Sequence, residues 1–519
     1  MLSEEVVREL ERVVGPERLC ADPEEVRRRI CNTLGLERRS LGIIYPETVE
    51  QVEAIVQLAN RHRFVLYPYS TAKNIGYGER LPVTENNLLV DLRGMNRIVH
   101  VDTELGYADV EPGVTQRQLS EYLAERDIPF FVDATGAGHD SSLVGNSLEG
   151  GFGSTPRGNK RKEITCVQGV FGSGERFDTG YFPGSIGPDL AGIFVQSNYA
   201  IVTQLRIALN RVFDDYRSFM VGVHSEPDLL ALINALRELR QQGTIINQVV
   251  IANAIDAMAI VGAEVPKTGA RQPLTNIQAA KILSKPLIPF APISAFGAVY
   301  GTRAEVWAKR QAVRRVLRNH VGSGARIRYL SDTTLRLIQK IVGSWPVSRI
   351  PAWAGIAHMI DYYEAMHGIM QGTTSDAAVI GLLGDVKETY EDRRLMWYSS
   401  RISSRSEDVD RFTKVVSQCY ERHGFPCPLE MLLVTASDII AIQKVDWTKG
   451  NAEEEARAWE LYESLRHDLT QAGYFPYRLG VQSQAKAPYP EERRRALQRL
   501  KETFDPGGVI APGRYGIAL

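Results

Sequence analysis

The sequence predicts an α+β protein of two domains, from its length, its alternation of helices and strands, and a change of pattern near Asn210. A chain of 519 residues is longer than one hydrophobic core usually organises. In the first third, short apolar runs alternate with helical stretches and are followed by further short runs. After Asn210, longer helical segments alternate with strand-like runs, which predicts a second α+β domain.

In the first part, the pattern predicts a helix from Pro46 to Arg61, with Thr48 placed to cap it. Its apolar residues recur at helical spacing: Val49, Val52, Ile55, Val56 and Leu58. Strands are predicted at five short runs bounded by Gly, Pro, Asn or Asp: FVLYPYS, NLLVDLR, ADVEPG, PFFVDA and CVQGVF.

In the second part, helices are predicted at PDLLALINALRELRQQ and AEVWAKRQAVRRVLRNHV, and strands at FGAVYG and RIRYL. The stretch MLLVTASDIIAIQKVDW predicts two adjacent strands. A long charged helix, AEEEARAWELYESLRHDLTQAG, is expected to end at Gly473. The arginines 493–495 in EERRRALQRLKETF predict a solvent-exposed helix face.

Composition excludes several classes of protein. Hydrophobic residues make up 44% and charged residues 24%, as in an ordinary globular protein. With 61 Lys and Arg against 62 Asp and Glu, nucleic acid is not expected as the main partner. No apolar stretch is long enough for a membrane span, and the N-terminus lacks the pattern of a signal peptide, so the cytoplasm is the expected location. Neither the five scattered cysteines nor the nine histidines have disulfide-scaffold or metal-ligand spacing.

The strongest local motif is the loop PYSTAKNIGYG, from Pro68 to Gly78, which follows an apolar strand. Its small residues and the glycines Gly76 and Gly78 allow close backbone approach, and such a loop can direct successive N–H groups at a diphosphate. It is neither a Walker A loop nor a Rossmann fingerprint. A structural turn is the alternative interpretation.

A second glycine-rich stretch, GNSLEGGFGSTP, runs from Gly145 to Pro156. Four glycines in nine residues suit a backbone that wraps a flat ligand, and a tight turn is again the alternative. The segment GAGHDS, from Gly136 to Ser141, lacks the third glycine of a dinucleotide fingerprint, so we do not assign it that role.

Five segments in order along the chain carry a resemblance to a known family. They are SxxKNxGYG at 70–78, VEPGVT at 110–115, GNxxxxGxGxTP at 145–156, QSNYAIVT at 196–203, and FDP to APGR at 504–514. On these segments the chain resembles the FAD-linked oxidases typified by vanillyl-alcohol oxidase and the flavoprotein subunit of p-cresol methylhydroxylase.

The resemblance implies a two-domain α+β fold with a discontinuous FAD-binding domain. Residues 1–215 would form that domain, residues 216–473 a cap over the flavin ring, and residues 474–519 a segment that completes the FAD and active-site region. Ala72 stands where relatives usually have glycine. The residues expected to contact FAD are Pro68, Ser70, Thr71, Ala72, Lys73, Asn74, Ile75, Gly76, Tyr77, Pro112, Gly113, Gly145, Asn146, Gly150, Gly153, Ser154, Ile201, Val202 and Arg514.

The family holds a phenolate with two tyrosines and an arginine, and its motifs place these roles on Tyr77, Tyr477 and Arg478. A phenol has a pKa of about 10, and its deprotonation makes the benzylic carbon a better hydride donor because a quinone methide becomes accessible. Holding the phenolate at pH 7 requires a shift of about 3 units, or roughly 4 kcal/mol. An arginine and two tyrosyl donors in a partly desolvated site supply energy of that order.

The chain departs from the family at the flavin tether and at the acid–base groups. Leu395 stands where vanillyl-alcohol oxidase has its tethering histidine, so we predict dissociable FAD; a tyrosine tether at Tyr390 or Tyr398 stays open. The aspartate expected near flavin N5 falls near Gly136. The candidate substitutes are Asp133, His139 and Asp140, and a cap histidine of the family falls at about Ser437, beside Asp438.

Three hypotheses about function follow. In the first, the protein removes a hydride from the benzylic carbon of a para-substituted phenol and passes the electrons to O₂ or an acceptor protein. In the second, Tyr77 and Arg478 bind the carboxylate of a hydroxy acid, an amino-acid derivative or a biosynthetic intermediate, since arginine suits such partners. In the third, the fold serves as a non-redox binding module. A homodimer or a larger homo-oligomer is expected.

Overall fold

The computed structural model describes residues 2–517, except residues 137, 181–185, 261–273, 284–290 and 332–392; within this last segment it describes only Leu337, Lys340 and Met366. The described strands are β1 Leu19–Cys20, β2 Ser40–Ile44, β3 Val65–Tyr69, β4 Asn87–Asp91, β5 Ile98–Asp102, β6 Tyr107–Val110, β7 Phe130–Phe131, β8 Ile164–Phe171, β9 Arg176–Asp178, β10 Ala200–Ala208, β11 Asn210–Arg211, β12 Asp215–Val223, β13 Val249–Asn253, β14 Ile293–Gly301, β15 Arg326–Leu330, β16 Arg393–Ser403, β17 Glu430–Leu433, β18 Asp438–Thr448 and β19 Phe475–Arg478. The described α-helices are α1 Glu4–Val14, α2 Pro23–Arg29, α3 Val49–His62, α4 Gln116–Glu125, α5 Leu143–Leu148, α6 Lys160–Glu163, α7 Glu226–Gln241, α8 Ala254–Ile260, α9 Asn276–Leu283, α10 Arg303–Val321, α11 Ser406–His423, α12 Ala452–Gln471 and α13 Glu491–Phe504.

The first sheet has the order β1-β2-β4-β3, with β2, β4 and β3 parallel. Helix α3 packs on it through buried Val52, Ile55 and Val56. The helix begins where the Thr48 side chain accepts a hydrogen bond from the Gln51 N–H, which confirms the predicted cap. Strand β3 is buried and ends directly before the Ser70–Gly78 loop, so the sheet fixes where that loop starts.

The second sheet has the order β5-β6-β10-β8-β9 and is antiparallel. Its central strand β10 carries buried Ile201 and Val202 at one end. The short strands β7 and β11 form a separate two-stranded ribbon, so only Phe130–Phe131 of the run PFFVDA is a strand.

The third sheet, here called the cap sheet, has the order β15-β12-β14-β13-β17-β18-β16-β19. One face packs against helices α7, α10, α11 and α12 around a core that includes Phe219, Tyr398 and Phe412. Residues alternate between faces along a strand, so Trp397 and Ser399 of β16 lie on the opposite face from Tyr398. That opposite face contacts the Ser70–Gly78 loop.

A buried ionic cluster joins helix α8 to the cap sheet. Lys444 of β18 forms ion pairs with Asp256 of α8 and, at 3.5 Å, with Glu430 of β17. Burial raises the pKa of Glu430 to about 7 against the effect of the Lys444 ammonium. Removing the lysine would leave two buried carboxylates without a cation, so the cluster ties α8 firmly to this end of the sheet.

The C-terminal segment returns to the first sheet. The Leu66 N–H donates to the Val509 carbonyl and the Ala511 N–H to the Leu66 carbonyl, both at 2.7 Å. Helix α13 is largely exposed, as predicted, except for Lys501, whose ammonium donates to the Asn198 and Ile510 carbonyls. This buried lysine fixes the turn that leads to Arg514.

The structure confirms the α+β class and the predicted helices and strands, among them the two adjacent strands β17 and β18. The exact domain limits stay predictions. Among the described residues, no helix combines the length and the apolar character that crossing a membrane requires.

Candidate active site

A cleft lies where the loop after β3, helix α5, strand β10 and the C-terminal turn meet. The space in and around it that is free of protein atoms, open solvent included, amounts to about 1120 Å³. The predicted cofactor residues on its wall are Pro68, Ser70, Thr71, Ala72, Lys73, Asn74, Pro112, Gly145, Asn146, Ile201, Val202 and Arg514. Residues that are far apart in sequence thus form a single site.

Hydrogen bonds through Ser142 join three of the sequence motifs at the cleft wall. The Ser142 hydroxyl donates to the Pro112 carbonyl at 2.6 Å and accepts from the Gly145 N–H at 2.9 Å. The Ser142 N–H donates to the Thr71 hydroxyl at 2.9 Å. The wall is therefore built from interlocked segments rather than from independent loops.

The wall shows two features that fit a flat, polar cofactor. A Cβ atom at Gly145 would lie only 2.4 Å from the Ser70 hydroxyl oxygen, so a larger residue here would displace that hydroxyl from the wall. The buried Asn146 Oδ1 has no hydrogen-bond partner among the described residues. An orphaned polar atom on the wall of a cleft is expected where a ligand supplies the partner.

Ala72 keeps the left-handed backbone that glycine usually provides, with φ of 55°. An L-residue in this conformation costs about 1–2 kcal/mol. The departure from the family at this position therefore preserves the shape of the loop, at a cost in backbone strain.

Seven of the predicted cofactor residues lie outside the cleft wall: Ile75, Gly76, Tyr77, Gly113, Gly150, Gly153 and Ser154. Gly113 packs against the Arg93 and Met95 carbonyls, and Gly153 against the Asp133 carboxylate. The Ile75 carbonyl accepts a hydrogen bond from the Trp397 indole at 2.8 Å, which directs this part of the loop toward the cap sheet. Contact between these residues and a cofactor stays a prediction.

Tyr77 lies beside the cap sheet with a fixed side chain. Its hydroxyl is 2.8 Å from the Ser399 hydroxyl, and its carbonyl accepts from the Val481 N–H at 2.8 Å. Burial raises the pKa of Tyr77 well above its usual range, and the neighbouring Tyr477 adds to this effect. Tyr77 is therefore a neutral hydrogen-bond donor at all ordinary pH values.

Arg478 places a buried guanidinium between the two tyrosines. Its carbon Cζ lies 5.2 Å from the centre of the Tyr77 ring and 5.9 Å from that of Tyr477. Its side chain is only 10% exposed, and its buried Nε has no hydrogen-bond partner among the described residues. Burial lowers the pKa of Arg478, but Tyr477, Glu149 and Tyr77 outweigh that effect and keep the group charged. The structure thus brings together all three predicted catalytic residues.

Sequence reasoning missed Glu149, Gln196, Ser399 and Tyr515. The Glu149 carboxylate contacts the Arg514 guanidinium and the Tyr515 hydroxyl, and it lies 3.8 Å from Arg478 Nε. Gln196 donates to the Glu149 carbonyl at 3.0 Å and to the Tyr477 carbonyl at 2.8 Å. Glu149 and Gln196 stand inside motifs that the sequence singled out, whereas no local signal marks Ser399 or Tyr515.

The candidates for an acid near flavin N5 are not on the cleft wall. Asp133 is buried and pairs with Lys160 at 2.6 Å, while its other oxygen accepts from the Thr155 hydroxyl. Asp140 pairs with Arg117 near the surface, and Asp438 pairs with Arg401. The Asp133 and Asp438 carboxylates thus have ion-pair partners in this structure, and an acid–base role for any of the candidates stays a prediction.

Tyr398, one of the two open candidates for a flavin tether, is not on the cleft wall. Its ring packs edge-on against Tyr462 in the helical layer of the cap, at 5.9 Å between centroids. Leu395, on the other face of the same strand, is fully buried. The second open candidate, Tyr390, lies outside the described residues, so non-covalent attachment stays a prediction.

Glu79, on the cleft wall, provides a pH-dependent test of the fold. Burial raises its pKa to about 7, although its carboxylate accepts hydrogen bonds from Thr33. Between about pH 4.5 and 7 the folded state binds more protons than the unfolded state, so this group makes stability fall as the pH rises. We expect Glu79→Gln to stabilise the protein by about 1–3 kcal/mol at pH 8 and to change little at pH 4.5.

Thermal unfolding at the two pH values measures this effect. The control is Glu238→Gln: His320 lowers the pKa of Glu238 at the surface, so its replacement should not raise the Tm at pH 8. A Glu79→Gln protein less stable than the wild type at pH 8 would contradict the assignment.

Comparisons with known proteins agree with this geometry. Residues 40–180 match the family model described as FAD binding domain. The chain is 29% identical over 93% of its length, and 92% of the relative's, to 1'-carboxy-chondrochloren decarboxylase of Chondromyces crocatus. It is 26% identical over 91% of its length, and 87% of the relative's, to the 4-cresol dehydrogenase (hydroxylating) flavoprotein subunit of Pseudomonas putida. The structure of 4-ethylphenol oxidase from Gulosibacter chungangensis covers all of this chain and 98% of its own, with a TM-score of 0.87 and 22% identity.

The domain match, the relatives and the cleft together define the class of protein: it is an FAD-dependent oxidoreductase with the two-domain FAD-linked oxidase fold. Over nearly its whole length the chain also shares the fold of p-cresol methylhydroxylase, whose structure covers 99% of this chain and 96% of its own, with a TM-score of 0.86 and 24% identity.

Proposed function

We propose that this enzyme oxidises para-substituted phenols at the benzylic carbon, with the phenolate held by Tyr77, Tyr477 and Arg478. The observation that carries the proposal is the buried Arg478 guanidinium, whose Nε has no hydrogen-bond partner in the part of the chain that the structure describes and which lies against two tyrosine rings. A buried cation whose N–H donor lacks a partner costs free energy unless a ligand accepts that hydrogen bond. A phenolate oxygen is a suitable acceptor because it is negatively charged.

The clamp supplies the energy that ionisation of the substrate requires. Keeping a phenol with a pKa of about 10 ionised at pH 7 costs roughly 4 kcal/mol. A charge-assisted bond from Arg478 and neutral donors from Tyr77 and Tyr477, in a site shielded from water, provide energy of this order. Since Tyr77 itself stays protonated, it donates to the phenolate instead of competing with it for the arginine.

The chain holds the clamp in place before substrate arrives. Ser399 fixes the Tyr77 hydroxyl, and Gln196 fixes the backbone at Tyr477. Bound FAD supplies a two-electron acceptor at the para end of the substrate. Ser70–Asn74, Gly145 and Asn146 are placed to hold the cofactor, and O₂ or an acceptor protein would receive the electrons.

Two relatives support a phenolic substrate, since their names refer to 4-cresol and 4-ethylphenol. The decarboxylase from Chondromyces favours a second candidate, a phenol whose side chain carries a carboxylate. Removal of a benzylic hydride would give a quinone methide. The electron pair of the bond to the carboxylate would then restore the phenolate as CO₂ leaves and a C=C bond forms. Both candidates use the same clamp and the same first step.

Purified protein tests the proposal directly. We expect a flavin spectrum, and acid precipitation should release the flavin into the supernatant if attachment is non-covalent. Under anaerobic conditions, 4-alkylphenols should bleach the flavin, whereas the matched 4-alkylanisoles, which cannot ionise, should not.

Phenolic acids with a side-chain carboxylate separate the two candidates, because only the second predicts release of CO₂. Bleaching by non-phenolic hydroxy acids, with none by any phenol, would overturn the proposal and favour carboxylate binding at Arg478. A protein that takes up no FAD on reconstitution would overturn both.

A further inference from the structure

At the cleft, the Glu149 carboxylate lies close to two guanidinium groups, those of Arg478 and Arg514, so the three side chains together carry one net positive charge. We infer that Glu149 is a charge-setting positioning residue: it neutralises Arg514, so that the phenolate site at Arg478 presents one net positive charge and accepts one anionic group. The inference rests on the proposed function, since it assigns a role to Glu149 at the same clamp.

Arg514 already has a counter-ion in the Glu149 carboxylate. Its guanidinium contacts Glu149 Oε1, while the Tyr515 hydroxyl donates to Oε2 of the same carboxylate. Both contacts come from the C-terminal turn, more than 360 residues along the chain from Glu149. The carboxylate is therefore held on the Arg514 side of the cleft.

Arg478 is close to Glu149, but its Nε does not form a hydrogen bond with the carboxylate. The distance from Arg478 Nε to Glu149 Oε2 is 3.8 Å, which is too long for a hydrogen bond. The side chains of Glu149 and Arg478 are 16% and 10% exposed, so water screens their interaction only weakly. Glu149 reduces the positive potential at Arg478 without occupying its donors.

Glu149 stays ionised at ordinary pH values. Burial acts to raise its pKa, but Arg514 and Arg478 outweigh burial, and the pKa lies below its usual value. The described groups that face the carboxylate are Arg514, Arg478, Tyr515 and Tyr67, and burial raises the pKa of both tyrosines above its usual range, so both stay neutral. The cluster therefore carries two positive charges and one negative charge throughout the working pH range.

This charge balance suits a monoanion that must later leave. With no net charge, the site would not favour ionisation of the phenol. With two net positive charges, it would hold both the phenolate and the phenolic product too tightly. A phenolic acid would bind its ring oxygen at Arg478, and its side-chain carboxylate would need a different cation.

The test uses the FAD-saturated enzyme and 4-hydroxybenzonitrile, a para-substituted phenol without benzylic hydrogens. Its ionisation is followed by difference absorbance across pH. Glu149→Gln is expected to lower the pKa of the bound phenol by about one unit or more, because a nearby negative charge is lost. With 4-alkylphenols as substrates, KM and kcat should both fall, as substrate and product are held more tightly.

Two further variants separate charge from packing. Glu149→Asp keeps the charge, and Tyr515→Phe removes a hydrogen bond to Glu149 without changing any charge; neither should shift the pKa of the bound phenol by more than a few tenths of a unit. Arg514→Gln removes a positive charge and should therefore raise the pKa of the bound phenol. If Glu149→Gln does not fold, the raised pKa of the bound phenol in Arg514→Gln tests the inference by itself.

The matched control outside the cleft is Asp109→Asn, which breaks a buried pair with Arg206. It should lower the Tm and leave ionisation of the bound phenol unchanged. Equal ligand pKa values in wild type, Glu149→Gln and Arg514→Gln would overturn the inference. If Arg478→Gln also leaves the ligand pKa unchanged, the proposed phenolate clamp itself is wrong, so the two failures are distinguishable.

Discussion

Arg478→Gln is expected to lower kcat/KM for 4-alkylphenols by about 1,000-fold at pH 7. The substitution removes the charge that the clamp offers to a phenolate, so most of the roughly 4 kcal/mol that ionisation requires then has no source, and the two tyrosines supply only the remainder. The loss should shrink as the pH approaches 10, because the free phenol then ionises unaided. Steady-state kinetics from pH 6 to 10 measure both effects.

The matched control is Arg411→Gln. Arg411 also lies by a tyrosine, donating to the Tyr474 hydroxyl at 2.8 Å with its Cζ 5.5 Å from that ring, but it is on the outer, helical side of the cap. Its replacement should leave kcat/KM within about twofold, as for other surface substitutions. A comparable loss in both variants, or a loss in Arg478→Gln that does not depend on pH, would contradict the clamp.

Gly76→Ala is expected to destabilise the protein by about 3 kcal/mol and to lower its Tm by about 3 °C. Gly76 has φ of 76°, and an added Cβ would lie 2.1 Å from Cδ1 of the Trp397 ring. The indole cannot yield easily, since its N–H donates to the Ile75 carbonyl. Thermal unfolding, followed with the flavin content, measures the loss.

Gly243→Ala separates the two causes of this effect. Gly243 has a similar φ of 68°, but an added Cβ there meets nothing within 4 Å. It should therefore cost only the backbone term of about 1–2 kcal/mol and leave the flavin content unchanged. Equal losses of stability in the two variants would mean that the contact with Trp397 does not contribute to the effect of Gly76→Ala.

Much of the fold could be predicted because its signals are local. The cap at Thr48, the helix that ends before Gly473 and the strand RIRYL follow from hydrophobic period and from residues that start or stop helices. The motif resemblance added what local patterns cannot give, namely that Tyr77 and Arg478 lie together although 400 residues separate them.

The rest of the site depends on contacts that no local pattern encodes. Ser399 reaches Tyr77 across 322 positions, and Arg514 reaches Glu149 across 365. Glycine alone is an ambiguous signal: Gly113 and Gly153 pack closely against the protein's own atoms and lie outside the cleft wall. A glycine marks a close approach, and only the fold shows what approaches.

Strand β19 pairs with β16 at the edge of the cap sheet, and the chain that follows it contacts Tyr77 through Val481. The two halves of the clamp are thus anchored in different parts of the molecule, one in a loop of the first sheet and one on the rim of the third. Under the proposed function, selectivity for an aromatic ring therefore depends on both parts of the molecule. A chimaera that kept only the N-terminal half would retain most of the cleft wall, without Arg514, and would lack Tyr477 and Arg478, with which we propose the enzyme chooses its substrate.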